Sequence, residues 1–307
     1  MMRKNALLVL VIIFCAVKAM SQAVNLDSML DAKPVNKDST QYAEATFKTS
    51  RLIDGHTVET TQRGVLDLKI SHRFGQLNDG FYNMFGLDVA SIRIGMDYGI
   101  TNSLTIGGGR SSFEKQYDFF LKYRLLRQSA GNEKMPVSLT LLTSLMLQTD
   151  TNTLMAEKKI ITKPKFSDKL SYAYQILIAR KFNDKFSLQL VPTMIHENLV
   201  DSSFNSNDIF AMGAGARIKL TQRSSLNLEY YYVLPDSKLP GTTNTFSVGY
   251  EIETGGHVFQ IHLSNSTGMT ERTFVAENTG HWDKGDIHIG FNIARVFTIV
   301  KPRSLKL

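Results

Sequence analysis

Residues 90–112 read ASIRIGMDYGITNSLTIGGGRSS, and an apolar residue falls on every second position of the first half. Ile92, Ile94, Met96, Tyr98 and Ile100 form one set; Ser91, Arg93, Gly95, Asp97 and Gly99 form the other. A period of two is the signature of an extended strand with one apolar face. Two architectures make such strands. A soluble β-sandwich turns the apolar face inward, and a membrane barrel turns it to lipid.

The pattern recurs along the chain. We read strands at 65–74, 90–100, 104–111, 117–126, 137–147, 170–182, 186–195, 210–220, 226–234, 246–252, 258–264 and 287–297, twelve in all. Tyr117, Phe119, Leu121, Tyr123 and Leu125 share one face, and Leu226, Leu228, Tyr230, Tyr232 and Leu234 share another. The connections sort by parity. Tight links such as TNS, ND, QRSS and ETGG follow even-numbered strands, whereas the longer 75–89, 148–169, 196–209, 235–245 and 265–286 follow odd-numbered ones. Short turns at one end and long loops at the other belong to an outer-membrane barrel, and a sandwich has no reason to sort its loops. Phe182 and Phe186 flank the ND turn, where an aromatic girdle sits. Pro192 falls inside a strand, removes a ladder donor and predicts a bulge. The mean hydropathy of −0.12 agrees, because half of each barrel strand is free to be polar.

The start of the chain supports export. Arg3 and Lys4 precede the apolar run ALLVLVIIFCAV, and AMS follows, with a cut expected between Ser21 and Gln22. That run is too short to span a bilayer, which takes about 20 residues. Removing residues 1–21 also removes the single cysteine, so disulfide and thiol chemistry are excluded. Loss of Arg3, Lys4 and Lys18 takes the formal net charge of +7 down by three, to +4. So mild an excess, without a basic stripe, gives no case for nucleic acid. The expected organisation is a signal peptide at 1–21, a flexible periplasmic lead-in at 22–44, a segment at 45–64 that plugs the lumen or adds a strand, and the barrel from 65 to 307, with both termini in the periplasm.

The stretches ATFKTSRLIDGHTVET, LDLKISHRFG and FGLDVASIRIGMDYGITNSLTIGGGRSSFEKQYDFFLKYRLLRQ resemble a family of uncharacterised membrane-bound β-barrel proteins of the Gram-negative outer membrane. The likeness runs from Ala45 to the end of the chain. It implies the barrel fold and a location in the cell outer membrane. It implies no activity, substrate or functional residue.

Site candidates come from the residues alone. With TNS as a three-residue turn, Asp97 lies opposite Gly107, and Gly107 and Gly109 pave an inward strip. Arg93 and Asp97 are expected to lean across it toward Asp118, Lys122 and Arg124, either as a charged constriction that selects solutes or as ion pairs filling a narrow lumen. Arg110 faces outward near a strand end, where it is a candidate for lipid phosphate. GGG at 107–109 and GAGAR at 213–217 are followed by strands, not helices, so neither is a phosphate loop. The seven histidines are scattered and show no paired-ligand spacing, so we expect no metal site and no cofactor. His72 faces lipid, as an interfacial hydrolase would require, but Ser71 beside it faces the other way. Three loops stand out: 75–89 with Phe81, Tyr82, Met84 and Phe85; 265–286 with Phe274 and Trp282; and 148–169 with Lys158, Lys159, Lys163 and Lys165. The lysines suit anionic lipopolysaccharide or form a solvated cluster. The expected protein is a narrow channel or transporter for small polar solutes and not an enzyme. The alternatives are a structural or binding barrel, docking a periplasmic partner through 45–64 or a surface partner, and then a barrel hydrolase.

Overall fold

The computed structural model describes residues 40–201 and 206–300. The expected signal peptide, most of the lead-in, and residues 301–307 lie outside the described residues. Twelve strands close into one antiparallel barrel, each paired with its neighbours in sequence. They are β1 Val65–Gln76, β2 Ala90–Gly99, β3 Leu104–Ser111, β4 Gln116–Leu126, β5 Ser138–Gln148 and β6 Leu170–Lys181, then β7 Phe186–Glu197, β8 Asp208–Lys219, β9 Ser224–Val233, β10 Thr245–Thr254, β11 His257–Ser264 and β12 His288–Thr298. Every expected strand is present. β12 closes on β1, with Ile293 opposite Ile70 and Thr298 opposite Val65.

Alternation sets the faces as expected. Ile94 and Met96 are about half exposed on the outer wall, while Arg93 and Asp97 on either side of them are almost wholly buried in the lumen. Turn chemistry sets the register. Thr101 Oγ1 accepts from the amides of Ser103 and Leu104, and Asn183 Oδ1 accepts from those of Lys185 and Phe186. Gly255 and Gly256 take φ of +37° and +116°, a conformation that side chains resist, and so close the two-residue link between β10 and β11. Asp97 lies opposite Gly107. Pro192 makes no bulge: the pairs Gln175–Thr193 and Ile178–Leu190 on either side of it keep one register. The ladder irregularities fall instead between Arg124 and Leu126 and between His288 and Gly290.

Residues 46–61 run inside the barrel. They enter from the short-turn end, double back over 52–55 and leave by the same end. Leu52 N donates to Gly55 O at 2.8 Å and Thr57 N to Ser50 O at 3.0 Å, so the segment is a small hairpin. It joins no strand of the ladder. Just upstream, Gln41–Tyr42 pairs with Ser129–Ala130 across the rim. From the opposite end, the loop 265–287 folds inward and carries the π-helical turn Arg272–Ala276 into the lumen, fully buried. The apolar core lies between these elements and the inner wall of β5–β9. Phe47, Leu52 and Val58 of the hairpin and Phe274, Val275 and Ala276 of the loop cluster with Leu142, Leu177, Val191, Ile195 and Tyr231. These apolar side chains stand on the inner wall among polar ones such as Thr140, Gln175, Gln189 and Glu229, at positions where a water-filled barrel calls for polar groups.

Candidate functional site

The inner face of β1–β4 carries a dense cluster of charges. Arg93 reaches over the glycine strip and grips Asp118 with two bonds, Nε to Oδ1 at 2.9 Å and Nη2 to Oδ2. Its guanidinium occupies the space that a Cβ at Gly95 or Gly109 would take, and the Phe120 ring occupies that over Gly107. Asp97 turns toward Lys69 Nζ at 2.5 Å and Ser50 Oγ at 2.5 Å rather than across the strip. Lys122, fully buried, donates to the hairpin carbonyls of Ser50 at 3.0 Å and of Thr57 and Glu59 at 3.2 Å. Arg124 sits at the short-turn rim, donating to Asn102 O at 2.7 Å, with Glu59 at 4.0 Å. Of the five lumen candidates, only Arg93 and Asp118 bond each other directly. Arg110 stands on the outer wall, its guanidinium 5.6 Å from the centre of the Tyr117 ring.

Several lumen groups went unread in the sequence. The alternation of LDLKISHRFG places Asp67, Lys69 and Arg73 on the inner face, and that signal was available. Arg73 Nη2 donates to Asp54 Oδ1 of the hairpin at 2.7 Å. Across the lumen, the Glu229 carboxylate accepts from three consecutive hairpin amides: Ile53 at 3.1 Å, Asp54 at 3.3 Å and Gly55 at 2.9 Å. Gly55 is required there, because a Cβ would overlap the Tyr231 hydroxyl.

Hairpin and loop meet in the middle. His56 Nε2 approaches Glu271 Oε1 at 3.4 Å, and Arg51 Nη1 approaches the same oxygen at 3.8 Å. Burial, reinforced by the nearby Arg51 and Lys122 charges, holds His56 far below its ordinary range, so it is neutral. Burial also pushes the Glu271 carboxyl up, against the pull of Arg51. Toward the long-loop end, Arg272 binds Glu277 at 2.7 Å and Glu114 at 3.0 Å. Burial raises Glu114 to about 7 despite Arg272. Lys158 is not a solvated charge: it turns inward to Glu197 at 2.5 Å and Glu277 at 2.8 Å, because those buried carboxylates need a counter-charge. Lys159 pairs with Asp201 at 2.7 Å. His72 stacks on Phe291 on the lipid side, ring centres 4.9 Å apart. Trp282 donates to Phe246 O at 2.9 Å, while Phe81 and Tyr82 are 77% and 94% exposed. Among the described residues, no group of three His, Cys, Asp or Glu is placed to hold a metal ion.

The short-turn mouth stays open. A cavity of about 1070 Å³ lies beside the hairpin against Arg63, Asn102, Arg124 and Arg127, and a second of about 490 Å³ lies on its other side.

A closed antiparallel barrel with an even strand count, short turns at one end, long loops at the other and an apolar outer band is an outer-membrane barrel. The chain belongs to the family of membrane-bound β-barrel domains (DUF5777), whose model matches residues 47–297. No curated protein matches the sequence. Among solved structures, the NanC porin is 8% identical with a TM-score of 0.48, covering 76% of this chain and 100% of that one. The KdgM porin is 8% identical at 0.45, covering 77% and 99%. Outer membrane protein Omp33 of Acinetobacter baumannii is 7% identical at 0.40, covering 76% and 97%. Likeness at that level says nothing about what a barrel binds or passes.

Proposed function

We propose that this barrel is a gated narrow channel or transporter for small polar solutes, and that residues 46–61 are its plug. One observation carries the reading. The lumen is filled by a segment that is hydrogen-bonded to the wall yet absent from the ladder, and both of its ends leave by one mouth. Withdrawing it breaks no strand pair. What then lines the path on one side is the charged wall of Lys69, Arg73, Arg93, Asp97, Asp118 and Lys122, suited to hydrated polar solutes. The loop 265–287 is the second barrier, held through Arg272 and the Phe274–Tyr231 ring contact at 5.1 Å. A periplasmic partner reaches 46–61 only when that segment is out of the lumen; the lysine-bearing loop and Arg110 are left for lipopolysaccharide and lipid phosphate.

The test is single-channel conductance in a planar bilayer, comparing the full chain with a variant carrying Arg73→Ala and Glu229→Gln. We expect a mostly shut wild type and stepwise openings in the loosened variant. Silence from both, in protein shown to be folded, overturns the channel and favours the structural or binding barrel.

A further inference from the structure

The wall holds the plug mainly by its backbone. Lys122 donates to three plug carbonyls, Gln260 Nε2 to Leu52 O at 2.7 Å, Asn292 Nδ2 to Ile53 O at 3.0 Å, and Thr140 Oγ1 to Val58 O at 3.0 Å. Gln189 does both jobs: its Nε2 donates to His56 O at 2.8 Å and its Oε1 accepts from Val58 N at 2.8 Å. A single amide thus brackets two alternate residues much as a neighbouring strand does. Glu229 takes three successive amides. A buried segment must satisfy its backbone somewhere, and a hairpin ordinarily does so across its own two arms. Here the arms share few bonds, and side chains from β4, β5, β7, β9, β11 and β12 supply the rest.

Such contacts read a main chain and not a particular sequence. The principal side-chain ion pair at the tip is Asp54 on Arg73. The wall adds shallow apolar seats, with Leu52 lying over Gly215, where a Cβ would meet its methyl at 2.7 Å. We infer that the lumen is a peptide-binding site occupied by the chain's own plug, and that its ligand or cargo is a short peptide that takes the same turned path and bears an acidic side chain. Backbone groups of that peptide replace those of residues 50–58, and its carboxylate replaces Asp54 on Arg73. This rests on the gated-channel reading and names the solute class.

The test uses the full chain with Gly55→Leu, a side chain that cannot seat against Tyr231. Its probes are three fluorescein-labelled synthetic peptides: residues 46–61, a shuffled version retaining both acidic residues, and the shuffled version with Asp→Asn and Glu→Gln. Anisotropy is read for wild type and variant. The variant is expected to bind the first two peptides within tenfold of each other and the third at least tenfold more weakly, while wild type binds each at least tenfold more weakly than the variant does. Binding of the native sequence alone, or of none, overturns the inference. As a check independent of that variant, millimolar shuffled peptide is expected to speed amide exchange in residues 46–61 of wild type, and no change overturns it too. Conductance is recorded in parallel. A variant that conducts but ignores peptides keeps the channel and loses the peptide; one that binds peptides without conducting does the reverse.

Discussion

Strands β1–β4 and strands β5–β9 show lipid the same alternating face, yet they hold the plug by different physics. The first group meets it with ammonium, guanidinium and carboxylate groups: Lys122 on the carbonyls, Arg73 on Asp54, and Asp97 and Lys69 on Ser50. The second packs on it with Leu177, Val191, Ile195 and Tyr231, and bonds its backbone through Thr140, Gln189 and Glu229. Packing is non-directional and scales with area, so the apolar side chains supply adhesion. Buried charges are strongly unfavourable unless matched, so the charged side chains fix where the plug sits. The barrel interior thus combines apolar side chains that bind with charged ones that position, the cationic groups gathered on β1–β4 and Glu229 facing them across the lumen.

The sharpest way to break this contrast is Arg93→Ala. It strands Asp118 in the lumen, and we expect a loss of roughly 3–5 kcal/mol in barrel stability by urea titration. The double change Arg93→Met with Asp118→Leu is expected to recover most of it; equal losses would show that the pair contributes attraction and not only compensation. On the apolar side, Leu52→Ala is expected to weaken plug docking by about 2–5 kcal/mol, read from hydrogen exchange of residues 46–61, with Leu52→Met under about 1.5 kcal/mol. Glu229→Gln keeps shape but turns one acceptor oxygen into a donor beneath three amides, for an expected cost of about 1–3 kcal/mol in the same measurement. The pH effect is smaller. Glu114 near 7 in the closed form against 4.5 when solvated means that closure carries an extra bound proton between those values. The seal of loop 265–287 should therefore weaken as pH rises from 4.5 to 7 and level off above, seen as faster protease cleavage within 269–277. Arg110→Ala is expected to change stability by less than about 0.5 kcal/mol.

The outer face was legible because lipid imposes one rule on every strand, and Ile92 or Phe119 obeys it whatever lies inside. Turns were legible because Asn183 and Thr101 act on residues next to them. The apolar inner wall was half legible. SLTLLTSLMLQ in β5 places Leu142 and Met146 inward next to the outward Leu141 and Leu145, a departure from apolar–polar alternation that a water-filled lumen leaves unexplained. What the plug grips was not legible. Ile53 and Glu229 stand 176 residues apart, and only barrel closure brings them together. Arg93 and Asp118 face each other across one intervening strand, β3, so the geometry of a single hairpin turn sufficed to suggest them.

Because the plug is tied to the barrel at Gly64 and at Ala43, which bonds Gln128 on the rim, it never leaves the neighbourhood of its seat. A short tether keeps such a segment at an effective concentration in the millimolar range. Any soluble competitor works against that standing figure. The threshold at which the barrel responds is then set by the length of the tether as much as by the affinity of the seat, and lengthening residues 43–45 or 62–64 would lower it without touching a single contact in the lumen.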